Sequence, residues 1–267
     1  MKFGFVVPWA DAAEVGELAV AAERHDWDGL FVWEPVWGVD AWVSLAVAAT
    51  RTTTIRLGTM LTPLPRRKPW EVAGQVATVD RLSHGRAILA VGLGAPSSGY
   101  DEFNEVVDRH VRAELLDEGL AIVKGLWHGQ PFRFRGVHYE IEPTTFPTIG
   151  HTHQQPRVPI WCVGALGSEV SMRRAMSCDG LIPQVVEGAG ESREARQCTL
   201  EELQKLTASL PPGFDVVIEG TNVEHSPAAW MEAGATWWLE SLWSAVSDPD
   251  AFDASMTRLV AGPPRLA

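Results

Sequence analysis

The stretch IRLGTMLTPLPRRKPWEVAGQVATVDRLSHGRAILAVGLG, residues 55–94, decides the fold that the sequence predicts. It opens and closes on short apolar runs, residues 55–61 and 86–94, which are typical of strands buried on both faces. Between them, Pro69 suits the first position of a helix, because the first turn leaves its N–H groups unpaired and proline has none. The stretch therefore predicts a strand–helix–strand unit.

The same alternation repeats along the chain and gives eight strand–helix units. Residues such as Asp11 and Asp40, and the pairs Ser226-Pro227 and Asp248-Pro249, suit the starts of the helices. Eight units in this length predict a (β/α)8 TIM barrel that forms a single domain over residues 1–267, with a doubly wound open sheet as the alternative. The predicted strands are residues 2–8, 29–33, 55–61, 86–94, 158–164, 179–185, 215–220 and 236–240.

Two segments interrupt the alternation without changing the count of units. Residues 95–107 follow the fourth strand, and residues 128–157 precede the fifth. Within the second segment, PFRFRGVHYEIE (131–142) alternates apolar and polar residues around Gly136, which predicts a β-hairpin. We expect both segments to be insertions into the barrel.

Composition excludes several classes of protein. The chain has 267 residues, of which 46% are hydrophobic and 21% charged, so it can bury a sizeable core. Its 34 acidic residues outnumber 22 basic ones, which argues against a nucleic-acid partner, because such partners require a basic surface. No apolar run approaches the ~20 residues of a membrane helix, and the N-terminal segment does not resemble a signal peptide. We therefore expect a cytoplasmic protein without a membrane segment.

The cysteines and histidines do not predict a metal site. Cys162, Cys178 and Cys198 are odd in number and lack ligand spacing, so we expect reduced thiols. His151 and His153 form an HxH pair in an unassigned loop, where a solvated role is the more common one.

In a barrel of this kind the functional site lies at the carboxyl ends of the strands. Three carboxylates, Glu34, Glu219 and Glu240, fall at predicted strand ends and are candidates for general acid or base catalysis. The alternative is that each caps a helix or pairs with an arginine. Several of the 12 tryptophans, including Trp9, Trp33, Trp37, Trp237 and Trp238, lie near strand ends and indicate a pocket for a planar ligand.

Two loops at the same end of the barrel are candidate anion sites. Arg66, Arg67 and Lys68 follow the third strand, and the N–H groups of a helix beginning at Pro69 would lie beside them. The alternative is that these cations offset neighbouring acids. Residues 163–175 leave the fifth strand through a glycine-containing turn that leads into a helix, where backbone N–H groups can converge on a phosphate.

Residues 57–94 resemble the segment between strands three and four of the bacterial luciferase-like flavin-dependent oxidoreductases. The likeness continues through residues 112–142, 158–183 and 232–240. It implies a (β/α)8 barrel that binds FMN or the deazaflavin F420 at its carboxyl mouth, and an oxidoreductase or monooxygenase acting on a small organic substrate. The turn after strand five looks closer to the deazaflavin relatives and favours F420 slightly.

The resemblance also implies positions for a cofactor. The end of the third strand, which in this family commonly carries a bulge with a strained or cis peptide, would face the ring, and Gly94 would lie near the ring edge. The turn and helix start after the fifth strand would bind the phosphate-bearing tail, with Arg66 and Arg67 as further candidates. The residues at these two places are Met60, Leu61 and Thr62, and Ala165, Leu166, Gly167, Ser168 and Val170.

The chain departs from the family at two positions. Pro35 stands where many deazaflavin relatives have a histidine, and Ala95 stands where some have a carboxylate. The usual acid and base are therefore absent, which leaves the three strand-end glutamates and, more weakly, His110. The departures also raise an alternative function, a barrel that binds a flavin for storage, sensing or delivery without catalysis. We further expect a homodimer and, as a candidate partner, a flavin reductase.

Overall fold

Twelve strands and eight α-helices lie within the residues that the computed structural model describes, which are 1–145, 151–187, 194–220, 225–243 and 250–265. The strands are β1 (Lys2–Val7), β2 (Gly29–Val32), β3 (Arg56–Thr59), β4 (Thr62–Pro63), β5 (Ala87–Gly92), β6 (Phe132–Arg135), β7 (Glu140–Thr144), β8 (Ile160–Leu166), β9 (Gly180–Glu187), β10 (Glu194–Gln197), β11 (Asp215–Glu219) and β12 (Trp237–Ser241). The helices are α1 (Ala12–Arg24), α2 (Ala41–Arg51), α3 (Pro69–Leu82), α4 (Arg109–His128), α5 (Glu169–Met176), α6 (Leu200–Thr207), α7 (Pro227–Glu232) and α8 (Ala251–Val260).

Eight of the strands form a closed parallel barrel. Their order is β1, β2, β3, β5, β8, β9, β11 and β12, and β12 pairs with β1 to complete the circle. A helix follows each of these strands along the chain. The predicted fold class is therefore confirmed, and the open sheet is excluded because every barrel strand has a partner on both sides.

Helix starts follow the local signals in the sequence. Asp11 caps α1 through a capping box with Glu14, and the Asp40 side chain accepts hydrogen bonds from the first turn of α2. Pro69 is the first residue of α3, as predicted. The predicted Asp248-Pro249 start lies outside the described residues, and α8 begins at Ala251. None of the described helices has the length and apolar character required to cross a membrane.

The interior of the barrel is filled by aromatic side chains. Phe31, Trp161 and Trp237 pack with ring centroids 5.1–5.9 Å apart, and Met60 belongs to the same buried cluster. The Trp161 indole N–H donates to Asp215 at 3.1 Å, which satisfies a polar group inside an apolar core. This cluster closes the barrel beneath its carboxyl mouth.

The two predicted insertions are present. Residues 95–107 contain one short 3-10 turn, Pro96–Ser98, and otherwise lack regular structure. β6 and β7 form the predicted antiparallel hairpin, which Glu118 of α4 fastens by accepting hydrogen bonds from the backbone N–H groups of residues 137–139. Asp80, fully buried, accepts from the backbone N–H groups of His153 and Gln154 and so fixes the chain before β8.

Candidate functional site

A cavity of about 600 Å³ opens at the carboxyl ends of the barrel strands. A second cavity of about 340 Å³ adjoins it and shares four of its lining residues, Gln184, Ala195, Glu219 and Trp243. The larger cavity combines apolar walls with a few polar groups, as small-molecule sites commonly do. Its remaining walls include Trp33, Glu34, Met60, Leu61, Pro63, Leu93, Gly94, Ala95, Ser97, Ser98, Arg109, Arg112, Val163, Ala165, Ser171 and Arg174.

The end of the third barrel strand forms one wall of the cavity. β3 stops at Thr59, the Met60–Leu61 peptide is cis, and the chain resumes as β4 alongside β5. Met60 and Leu61 line the cavity, whereas Thr62 is fully buried behind it. The strand is thus interrupted where the family resemblance implies a bulge, and the interruption presents two apolar side chains to the site.

Glu34 lies at the end of β2 within a buried polar network. Its carboxylate accepts a hydrogen bond from the Thr62 hydroxyl at 2.7 Å, and it pairs with the guanidinium groups of Arg67 and, at 3.5 Å, Arg66. Thr62 in turn lies 2.9 Å from the Thr59 hydroxyl oxygen. Burial raises the pKa of the Glu34 carboxyl, while Arg67 and Thr62 oppose that rise. Glu34 thus holds the bulge and the following loop together.

The structure corrects the expected placement of the basic cluster. Arg66 donates to the carbonyl oxygens of Pro35 and Val36, and Arg67 bridges Glu34 and the Gln75 side chain. Neither guanidinium lines the cavity, and both are engaged by the protein itself. Lys68 is exposed and lies over the Trp70 ring. The anion that the two arginines face is the chain's own Glu34.

The other two glutamates differ in orientation. Glu219, at the end of β11, lines both cavities and accepts hydrogen bonds from the Ser241 hydroxyl at 2.7 Å and from the Trp243 indole. Glu240 lies one strand further on, where it forms a two-pronged ion pair with Arg258 of α8 and does not line the cavity. The expected position of Glu240 at the site is corrected, because alternate residues of a barrel strand face opposite sides.

The turn between β8 and α5 is the one that the sequence indicates as a candidate phosphate site. Gly167 has a φ of +85°, and a methyl group built on it would meet no atom within 4 Å. Ser168 is the N-cap residue of α5, but its side chain makes no capping hydrogen bond. Ala165 and Ser171 line the cavity, and the Ser171 hydroxyl accepts from the Ala165 N–H at 3.0 Å. Leu166 is half-buried, and Val170 is exposed.

Gly94 and the arginines of α4 and α5 line the same cavity as this turn. Gly94 has a φ of +77°, and a methyl group there would lie 1.9 Å from the Tyr100 hydroxyl oxygen. Arg112 is buried, donates to the carbonyl oxygens of Leu93 and Gly94, and lies over the Tyr100 ring. Desolvation lowers the pKa of Arg112.

Sequence reasoning did not find the arginines that line the cavity. Arg109 and Arg112 lie three residues apart on α4, so both reach the cavity from one helical face. Arg174 also lines the cavity, but it pairs with Asp117 at 2.6 Å. The i, i+3 spacing of the first two was visible in the sequence, although the direction of that helical face was not.

Of the five tryptophans singled out, only Trp33 lines the larger cavity. Trp37 is 76% exposed, and Trp9 is 45% exposed. Trp237 packs inside the barrel, and Trp238 packs outside it, against the helical layer. Trp243, which the sequence did not single out, completes the aromatic wall in an edge-to-face contact with Trp33.

The candidate histidines lie away from the cavity. His110 is exposed on the first turn of α4, and the ring of His153 packs against His84. Within the part of the chain that the structure describes, no three histidine, cysteine or acidic side chains cluster in a way that could hold a metal ion.

The closed barrel and its mouth cavity define the class of protein, a (β/α)8 barrel with a small-molecule site at its carboxyl end. The sequence model of the luciferase-like monooxygenases matches residues 1–250, so the chain belongs to this family. The F420-dependent glucose-6-phosphate dehydrogenase of Segniliparus rotundus is 28% identical over 247 residues, which cover 88% of this chain and 70% of that protein. Across that protein and two other F420-dependent glucose-6-phosphate dehydrogenases, the match spans 51% to 81% of the relative's own length.

Solved structures show the same fold. The coenzyme F420 dependent tetrahydromethanopterin reductase of Methanopyrus kandleri superposes with a TM-score of 0.72 at 15% identity, covering 97% of this chain and 96% of that one. The oxygenating constituent of 3,6-diketocamphane monooxygenase of Pseudomonas putida, in complex with FMN, gives a TM-score of 0.63 at 19% identity, covering 83% and 67%. The predicted family is confirmed, and so is the predicted class, an oxidoreductase that uses F420 or FMN.

Proposed function

We propose that this chain is an F420-dependent oxidoreductase that moves a hydride to or from a small organic substrate in the mouth cavity. The observation that carries the proposal is the cavity itself, which lies between the apolar bulge at Met60 and Leu61 and the β8–α5 turn. The F420-dependent relatives support this cofactor over FMN. FMN-dependent monooxygenation is the alternative, since the same fold holds FMN in the diketocamphane monooxygenase.

Three features of the described residues fit a cofactor that has a planar ring and an anionic tail. Gly167 leaves open space above the β8–α5 turn, and the Ser168 side chain does not cap the helix that follows. Nε of Arg112 is buried and has no hydrogen-bond partner among the described residues. Uncapped N–H groups at a helix start and a buried guanidinium both favour a negatively charged group nearby.

The residues that would hold the cofactor follow from these positions. Met60, Leu61 and Gly94 would contact the ring, Thr62 would support the bulge from behind, and the tail would bind at the β8–α5 turn. When bound, the deazaflavin supplies the hydride chemistry, and the protein contributes binding, orientation and exclusion of water. The turn residues proposed for the tail are Ala165, Leu166, Gly167, Ser168 and Val170.

The chain's own residues divide the remaining work. Glu219 has a carboxylate in the cavity and is the residue we propose to exchange a proton with the substrate. Glu34 positions the bulge, because it binds Thr62 and the loop that carries Arg67. Glu240 is occupied by Arg258, so we propose no catalytic role for it.

The proposal extends to a cytoplasmic homodimer, and under the FMN alternative a flavin reductase would supply the reduced cofactor. Light scattering on the purified protein measures the number of subunits directly. A mass of one chain at all concentrations tested would contradict the dimer without affecting the proposed chemistry.

Parallel titrations with F420 and FMN, followed by ring fluorescence, test the proposed cofactor. We expect F420 to bind about tenfold or more tightly, a difference of roughly 1.4 kcal/mol. Tighter binding of FMN would favour the monooxygenase, and binding of neither would contradict both. If the protein retains F420 but no candidate substrate changes the oxidation state of the bound F420, the protein binds the cofactor without catalysis.

A further inference from the structure

The two sides of the mouth cavity differ in charge. Arg109, Arg112 and Arg174 border it on the side of β5 and β8, close to the β8–α5 turn. Across the barrel, the ends of β11 and β12 contribute Glu219 and Trp243. Along the barrel order, β11 and β12 are two to four places away from β5 and β8, so these two groups lie on different walls. An anionic tail and a substrate therefore meet different electrostatic environments.

Glu219 differs from the other strand-end glutamates in its partners. Glu34 has two guanidinium groups within 4 Å, and Glu240 has one, whereas no cation of the described residues forms an ion pair with Glu219. Both of the hydrogen bonds that Glu219 accepts from described residues, Ser241 and Trp243, go to Oε1. Neither of these two hydrogen bonds goes to Oε2. The carboxylate is therefore held in one orientation, but no neighbouring cation of the described residues neutralises its charge.

An aromatic wall stands beside this carboxylate. The rings of Trp33 and Trp243 are 6.2 Å apart and nearly perpendicular, and both line the cavity. The Trp243 indole N–H donates to Glu219, so the ring and the carboxylate hold each other in place. Indole faces attract cations and pack well against flat apolar groups, while a carboxylate accepts hydrogen bonds from ammonium and hydroxyl groups.

We propose that the substrate is a neutral or cationic molecule with an apolar, preferably aromatic body and an amine or hydroxyl group directed at Glu219. This inference rests on the proposed function, since it assigns the substrate side of the same cavity. It separates this chain from relatives named for glucose 6-phosphate, because a phosphate placed beside Glu219 would be repelled by a carboxylate without a cation partner.

Three probes of equal ring size test the proposal: benzylamine, benzyl alcohol and benzoate. Their binding is measured by tryptophan fluorescence and calorimetry, with glucose 6-phosphate as a fourth probe and with protein both free of cofactor and saturated with it. Where cofactor is added it is reduced F420, which cannot accept a hydride from the amine or the alcohol. We expect benzylamine to bind about tenfold or more tightly than benzoate, with benzyl alcohol between them. Benzoate or glucose 6-phosphate binding as tightly as benzylamine would overturn the proposal.

Variants assign the preference to Glu219. Glu219→Gln keeps the size and an acceptor for Trp243, and it should reduce the benzylamine-to-benzoate ratio to about threefold or less. Glu240→Gln is the matched control, a strand-end glutamate outside the cavity, and should retain the wild-type ratio. If Glu219→Gln does not fold, Trp243→Phe keeps the carboxylate and should retain the preference for the amine. An unchanged ratio in Glu219→Gln, or loss of the preference in Trp243→Phe, would overturn the assignment.

The cofactor titration is read separately from these measurements. Failure of F420 and FMN to bind contradicts the proposed function, whereas the order of the probes reports on the substrate wall alone. A protein that binds F420 and prefers benzoate would keep the proposed function and lose this inference.

Discussion

The segment Arg66–Lys68 and the turn Ala165–Ser168 occupy equivalent places in the barrel, each between a strand end and a helix start. The first carries three adjacent cations and the second carries none. Yet both guanidinium groups of the first bind atoms of the protein, while the second leaves a helix start uncapped beside the cavity. We therefore expect an anion to bind where donors lack partners rather than where cations are most numerous.

The difference has a physical cause in Glu34. A carboxylate that is almost completely buried requires partners, because desolvation of an unpaired charge is unfavourable by several kcal/mol. Arg66 and Arg67 supply those partners. The other nitrogen of each guanidinium group donates to the Val36 carbonyl oxygen or to the Gln75 side-chain oxygen, respectively. The basic segment thus stabilises the scaffold of the site, and the neutral turn remains available for a ligand.

Removing Glu34 should give the largest effect of the changes that test this comparison. Glu34→Ala leaves the half-buried Arg67 without its carboxylate and the buried Thr62 hydroxyl without its acceptor. We expect the free energy of unfolding to fall by about 3–5 kcal/mol, the usual loss when one partner of a buried pair is removed. Urea denaturation followed by circular dichroism measures the change.

A surface pair supplies the control for that measurement. Glu201 and Lys205 form an exposed ion pair on α6, so Glu201→Ala should leave the urea midpoint unchanged within error. A loss in Glu34→Ala of less than about 1 kcal/mol would show that the buried network does not stabilise the fold, and would contradict the account of the basic segment.

The turn is tested by two glycines with nearly the same backbone geometry. Gly167 has a φ of +85° and Gly213 a φ of +80°, and a methyl group on either would meet no atom within 4 Å. Gly167→Ala and Gly213→Ala should therefore each destabilise the protein by about 1–2 kcal/mol through backbone strain. Because Gly213 precedes β11 at the other end of the barrel, only Gly167→Ala should weaken cofactor binding, by about tenfold.

Fluorescence titration of F420 into both variants measures this difference. Wild-type affinity in both Gly167→Ala and Gly213→Ala would mean that the cofactor does not use the space above the β8–α5 turn. Equal losses in both would point to a general effect of destabilisation on the barrel.

The same contrast explains what the sequence could predict. Pro69 and Asp11 mark helix starts by their local chemistry. The short apolar runs that alternate with helical segments correctly predicted all eight barrel strands. Glu219 and Glu240 looked equivalent, because both end a strand, but which of them faces the cavity depends on the register of β11 and β12 in the closed barrel. The partners of Arg66 and Arg67 lie about thirty residues away along the chain, on the loop after β2, and no local pattern reveals that contact.

A smaller effect concerns the pH dependence of the reactivity of Cys178, which follows the C-terminus of helix α5. Cys178 accepts from the Lys124 ammonium at 3.6 Å, and a hydrogen bond from Cys162 together with Lys124 lowers the pKa of its thiol to about 7. Burial raises the pKa of Cys198 to about 11. Both thiols are buried, so iodoacetamide reaches either of them slowly. Since the thiolate is the reactive form, the alkylation rate of Cys178 should rise with pH through about 7, while Cys198 stays unreactive there.

Peptide mapping by mass spectrometry gives the rate for each cysteine. Lys124→Met removes the ammonium and should move the midpoint for Cys178 to higher pH without changing Cys198. A wild-type midpoint near the usual value of about 8.5 would contradict the lowered pKa, and an unchanged midpoint in Lys124→Met would show that Lys124 does not stabilise the thiolate. Cofactor affinity serves as a second readout, and we expect it to be insensitive to this variant because Lys124 does not line the cavity.

Substitution of Lys68 should have the smallest effect on cofactor binding of the changes considered. It still tests the basic segment directly, because Lys68 is the one exposed residue among Arg66, Arg67 and Lys68. Its ammonium lies 5.8 Å from the centre of the Trp70 ring, and neither residue lines the cavity. If the cluster attracted an anionic cofactor, Lys68→Ala would slow association at low salt, since steering by exposed charges depends on ionic strength. We expect the association rate of F420, measured by stopped-flow fluorescence at low and high salt, to stay within about twofold of wild type. If Lys68→Ala slowed association tenfold at low salt, and the rate recovered at high salt, the basic segment would attract the anionic cofactor after all. The β8–α5 turn would then bind the cofactor tail only after the basic segment had attracted it.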